Sequence, residues 1–122
     1  MKLIDANIIL RFLIRNNEEQ AKVASEFIKE GAFTIPEVIP EVVYVLAGVY
    51  QVNRKEIGTV LIDFMDNIMI NDKAIIKEAL KFYSDTSLDY VDCVLVARHK
   101  LLGDNIVTFD KQLLKALRTA DA

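Results

Sequence analysis

Residues 2–14 read KLIDANIILRFLI. Residues 2–4 are a short apolar run, Asp5-Ala6-Asn7 punctuates it, and from Ile8 onward the apolar positions follow helical spacing. The stretch therefore predicts a strand that turns directly into a helix, with Asn7 able to cap it. The alternation continues down the chain. Asn16 and Asn17 interrupt the first helix, and NEEQAKVASEFIKEG starts another, with Ala21, Ala24, Phe27 and Ile28 on one face and Gly31 just past its end. A second strand is expected over 32–35. Pro36 and Pro40 bracket the next helix entry, with Pro40 at the first helical position and Glu41 in the first turn. Asn53 is placed to cap RKEIGTVLIDFMDN, residues 68–70 read as a third strand, and Asn71-Asp72 opens a helix through AIIKEALKFYS. LDYVDCVLVARHKLLG forms a further helix ended by Gly103, residues 105–108 read as a fourth strand, and Asp110 begins a last helix, KQLLKAL.

Strands alternating with helices predict an α/β domain: a three-layer α/β/α sandwich on a parallel sheet of four strands, with right-handed crossovers. With 122 residues and no repeat, low-complexity tract or Pro/Gly linker, residues 1–122 are expected to form a single domain. The apolar share of 52% beside 27% charged residues describes a globular chain and excludes a disordered one. The apolar run at 42–50 is far shorter than the roughly 20 residues a bilayer requires, so no membrane association is expected. The N-terminus carries no signal-peptide pattern, and the single cysteine, Cys93, suits a reducing compartment. A cytoplasmic location is the expectation.

In such sheets, ligands bind outside the carboxyl ends of the strands. Asp5 follows strand one, Asp110 lies two residues beyond strand four, and Glu41 and Asp92 occupy early positions of helices expected to lean over the same edge. Taken singly, Asp5 and Asp110 are ordinary helix caps and Glu41 an ordinary first-turn acid. Asp92 stands apart, because it lies inside VDCVLVA and reads as beyond any capping position. Four carboxylates at one edge suit Mg²⁺ or Mn²⁺, hard cations that bind oxygen and keep room for substrate phosphates. Phosphodiester cleavage is the reaction such a site implies. Asp89, one turn before Asp92, is a candidate additional ligand, and Thr108 a candidate support for Asp110. Arg11 and Arg15 follow Asn7 at four-residue spacing and are candidate phosphate contacts.

Several chemistries are excluded. The four glycines are isolated, so no dinucleotide or phosphate-cradling loop exists, and one Cys with one His serves zinc poorly. His99 has no nucleophile partner and receives no role. The net charge of −3 is a weak objection to a nucleic-acid substrate: with the four acids set aside, 15 basic residues face 14 acidic ones.

LIDANIILRFL, PEVVYVL, LDYVDCVLVA and VTFDKQL, in that order, resemble the four acidic motifs of PIN domains, especially the small VapC-type toxins. The resemblance covers nearly the whole chain. It implies a metal-dependent ribonuclease, commonly a homodimer held inactive by a VapB-type antitoxin. Asp5, Glu41, Asp92 and Asp110 would be the catalytic, Mg²⁺-binding acids, with Asn7 and Thr108 as supporting polar groups. The chain departs from the family at Ala6, where Thr or Ser is frequent, and it stops soon after Leu117, which leaves a fifth strand open. Two other readings compete. One is a non-catalytic PIN-like module that binds metal or a basic partner peptide. The other is a phosphatase of a different acid-pocket fold, disfavoured because Asp5-Ala6-Asn7 lacks a DxD pair. Phe12, Leu13, Tyr44, Val49 and Tyr50 offer apolar surface for a second copy or an antitoxin.

Overall fold

The computed structural model describes residues 1–121. In chain order the elements are β1 (Lys2–Leu3), α1 (Ala6–Ile14), α2 (Glu18–Glu30), β2 (Ala32–Thr34), α3 (Val38–Gly48), α4 (Arg54–Phe64), a 3₁₀ turn (Met65–Asn67), β3 (Met69–Ile70), α5 (Lys73–Asp85), α6 (Tyr90–Leu102) and α7 (Lys111–Asp121). The three strands pair in parallel in the order β1-β2-β3, with Lys2 opposite Ala32, Leu3 opposite Phe33, and Phe33 opposite Met69. Each connection carries two helices, as parallel pairing demands. β2 is central and its Ala32 and Thr34 are buried. Thr34 brings a hydroxyl into that interior without penalty, because Oγ1 donates to the Ile4 carbonyl at 2.7 Å.

The helices supply most of the core. Ile9 of α1, Ile39, Val42 and Val43 of α3, Ile57 and Leu61 of α4, Leu80 of α5, and Tyr90, Cys93 and Val96 of α6 are all essentially inaccessible. Their three- and four-residue spacings make each helix amphipathic toward one interior. α5 packs against both α4 and α6, and α1 against α2 and α3. α4 approaches α5 closely at Gly58, where an added Cβ would lie 2.9 Å from Ser84 Cβ and 3.0 Å from the Leu80 carbonyl.

Most helix boundaries expected from the sequence are present. Asn53 caps α4 through Glu56 N–H, and Gly31 and Gly103 close α2 and α6. Gly103 takes φ +74°, a left-handed conformation, while its N–H reaches the His99 carbonyl. Pro40 is not the first residue of α3 but lies two residues inside it, where the first-turn N–H groups still lack an intrahelical acceptor.

The expected fourth strand is absent among the described residues. Residues 103–110 run without ladder partners, and the sheet has three strands rather than four or five. Ile106 packs on the core, but its neighbours Val107 and Phe109 are 91% and 102% exposed. The stretch read as a fourth strand thus has one half-buried anchor and no edge to pair with. A strand pattern reports half-burial, not the presence of a partner strand.

Candidate active site

Helix N-termini position every candidate acid. Asp5 caps α1, its Oδ1 accepting the Ile8 N–H at 3.0 Å; the cap is therefore Asp5, and Asn7 sits exposed in the first turn instead. Glu41 is exposed in the first turn of α3. Asp89 caps α6, and Asp92 follows within that helix's first turn, so Asp92 does not lie beyond the capping region after all. The sequence reading started α6 too early, at Leu88. Asp110 accepts the Leu113 N–H at 2.8 Å and leads into α7, while its own N–H is held at 3.0 Å by Thr108 Oγ1. Thr108 thus fixes the backbone from which Asp110 projects. Helix N-termini carry partial positive charge, which favours a carboxylate at each of these places.

The acids are less buried than their apolar neighbours in sequence suggest. Asp5, Glu41, Asp89 and Asp110 are exposed and Asp92 is half-buried. None of the five takes part in an ion pair among the described residues. Arg98 is paired instead with Asp104 at 2.6 Å, and Lys100 with Glu78 at 2.7 Å.

Three of the acids are electrostatically joined. Burial raises the Asp92 pKa above the usual carboxylate range, and the charges of Asp89 and Asp110 raise it further. α3 reaches the same cluster through Tyr44, one turn after Glu41, whose hydroxyl donates to Asp89 Oδ2 at 3.2 Å. Burial raises the Tyr44 pKa, and the charge of Asp89, this hydrogen bond and the charge of Asp92 add to the effect. The Val91 N–H also falls on Oδ2, at 3.3 Å, and Oδ1 of Asp89 takes neither bond. Arg54 braces the loop from behind: Nε donates to the Tyr83 carbonyl at 2.9 Å, Nη2 donates to the Leu88 carbonyl, and the guanidinium stacks 3.7 Å from the Tyr83 ring centre. Neither Tyr44 nor Arg54 was singled out for the site from sequence. The i+3 spacing of Tyr44 from Glu41 was the available signal; Arg54 offered none.

The donor set suits a hard divalent cation in kind, being all carboxylate oxygen without basic partners, with a raised Asp92 that a cation would relieve. It does not form a finished cage: no group of three or more His, Cys, Asp or Glu side chains among the described residues is arranged to hold an ion as it stands. The structure brings Asp89, Asp92 and Asp110 into mutual influence, and joins Asp5 and Glu41 to them by no hydrogen bond.

The two arginines differ. Arg15, at φ +57° after α1, is a pin, with Nη1 donating to the Phe12 carbonyl and to Ser25 Oγ of α2, both at 3.2 Å. Arg11 donates from Nη1 to Asn16 Oδ1 at 3.1 Å, while its Nε is buried with no partner. It forms part of the wall of a pocket of about 400 Å³ between α1 and α2. Cys93 is a buried thiol pushed up to about 11 by desolvation, an inert core residue. Of the apolar residues expected at the surface, Tyr44 and Val49 are exposed, whereas Phe12, Leu13 and Tyr50 are half-buried against the core.

The PIN domain family model matches residues 2–118. A VapC ribonuclease of Aquifex aeolicus (strain VF5) is 32% identical over 126 aligned positions, covering 94% of this chain and 91% of that protein. No solved structure gives a significant match.

Proposed function

The chain belongs to the PIN domain family, and from that premise we propose that it is a metal-dependent endoribonuclease that hydrolyses RNA phosphodiester bonds. We place it as the toxin of a VapBC pair, acting in the cytoplasm as a homodimer and held by a VapB-type antitoxin. The observation that carries this reading is the half-buried Asp92, without an ionic partner and raised by the charges of Asp89 and Asp110. An enzyme that tolerates such repulsion at a site has a use for a cation there. No described helix is long and apolar enough to cross a membrane.

Asp5, Glu41, Asp92 and Asp110 would hold Mg²⁺ or Mn²⁺, with Asp89 as an additional donor. The ion supplies charge neutralisation at the phosphoryl oxygens and activation of the attacking water. Around it, this chain's own groups have separate tasks. Asp92, half-buried beside Asp89 and Asp110 and without an ionic partner, is the carboxylate whose charge a bound cation would offset most directly. Thr108 holds Asp110 by its N–H, and Tyr44 turns Asp89 so that Oδ1 stays free. Asn7, exposed one turn from the Asp5 cap, supports the first acid, and Arg11 and the uncommitted donors of Arg15 meet RNA phosphates.

The deciding experiment is RNA cleavage by purified protein with Mg²⁺ or Mn²⁺, against EDTA and against Asp92→Asn. Cleavage that requires the ion and is lost or strongly reduced in the variant, which removes one of the charges that would hold the ion, is expected. Absence of cleavage, together with a loss of thermal stability on chelation, would instead identify a non-catalytic metal-binding module.

A further inference from the structure

The pocket between α1 and α2 has a lining that the acid cluster does not use. Asn7, Arg11, Asn17, Glu19 and Gln20 line it with polar side chains beside Ile8 and Val23. Asn17 Oδ1 is committed to the Gln20 backbone N–H as the α2 cap, which leaves the amide side of Asn17 without that duty. Arg11 is only partly committed, with one bond from Nη1 to Asn16 and a buried Nε–H that meets no acceptor. Nη2 of Arg11 makes no hydrogen bond among the described residues, so that end of the guanidinium is the part a phosphate can take. Asn7 ties this concavity to the site already described, since it lies on the first turn of the helix that Asp5 caps.

We infer that the α1–α2 pocket is a nucleotide subsite for single-stranded RNA beside the cleaved bond, with Arg11 holding a phosphate and the Asn7, Asn17 and Gln20 amides reading a base. This rests on the ribonuclease reading above. The volume of about 400 Å³ falls within the roughly 300–1,000 Å³ of small-ligand sites. Arginine suits phosphate, and the Asn and Gln amides offer donor and acceptor together, as base edges require. Glu19, the one carboxylate of the lining, matches an exocyclic amine rather than a phosphate. A basic peptide is the poorer occupant, because Arg11 stands in the wall.

The test uses ¹⁵N-labelled protein in EDTA, where no cleavage is expected, titrated with a short single-stranded RNA of mixed sequence. Side-chain amide resonances of Asn7, Asn17 and Gln20 shift on addition, as does Arg11 Nε–H. In the Mg²⁺ or Mn²⁺ assay, Gln20→Ala and Arg11→Lys each raise KM by about three- to tenfold, the worth of one lost hydrogen bond, with a smaller change in kcat and an altered pattern of cleavage positions. Gln20 is exposed, so its variant remains informative if the Arg11 substitution fails to fold. Unshifted amides, or variants that keep both KM and the cleavage pattern, overturn the inference, as does a response to a basic peptide without one to RNA. Loss of cleavage in Asp92→Asn alongside normal behaviour of Gln20→Ala sinks only the subsite; absence of ion-dependent cleavage by the wild type sinks the ribonuclease reading while the amide shifts remain readable.

Discussion

Asp92 has a folded-state pKa above its unfolded value, because burial and two like charges oppose its ionisation. The folded protein therefore binds this proton more tightly than the unfolded chain. Stability from this group is greatest below the unfolded pKa and falls as pH rises through the folded one. At neutral pH without metal the ionised carboxylate works against folding, so Asp92→Asn in EDTA is expected to melt higher than the wild type, the gain shrinking toward acid. Mg²⁺ should then stabilise the wild type more than the variant. A variant that melts lower at neutral pH in EDTA would contradict the repulsion. That Asp5, Glu41 and Asp110 lie at helix starts was legible in the sequence, but which residue takes each cap was not. Whether Asp5 or Asn7 takes the N-cap depends on where the backbone leaves β1, and whether Asp92 counts as first-turn depends on where α6 starts. Both are settled by tertiary packing, as at Leu88, which is buried ahead of the helix while Arg54 binds its carbonyl from another element.

Helices announced themselves because each carries its own period and its own stop signals, as Asn53 and Gly103 illustrate. The strands are only two or three residues long, and a stretch that short can be told from a loop only by its partner. Residues 105–108 have the composition of a strand and find no partner. Contacts between helices are equally invisible in sequence. Gly58 looks like a helix-weakening residue inside α4, yet it is what lets α4 lie against Ser84 and Leu80. Gly58→Ala would gain about 1 kcal/mol of helix propensity but force Cβ into backbone and near-backbone atoms, an overpacking cost of about 1–3 kcal/mol. A net loss of about 1 kcal/mol in urea unfolding is expected. A stabilised variant would show that α5 moves aside freely.

Across the molecule, α7 is the element that must be held for Asp110 to stay in place, and its fastenings lie at both ends. Leu113 and Leu117 bury one turn apart, and at the far end His99 of α6 meets the Asp104 carbonyl at 2.8 Å and Asp121 Oδ1 at 2.6 Å. Both partners accept, so the imidazolium donates to each while the neutral ring can donate to only one. The Asp104 carbonyl, then the Asp121 hydrogen bond and charge, raise the His99 pKa. With the folded pKa above the unfolded one, this clamp is fully present below the unfolded value and is lost as pH rises through the folded one. Thermal melting from pH 6 to 9 should show that loss in the wild type, and a flatter profile in His99→Gln. Phe109 and Val107, bare on the segment that leads into α7, have a separate consequence for the covalent chain. A protease that prefers aromatic residues should nick the backbone after Phe109 before it cuts the helices. If the fastenings of α7 suffice, the nicked protein will migrate as one particle on a sizing column and as two fragments on a denaturing gel, so that Asp110 reaches its site on a peptide no longer joined to the rest.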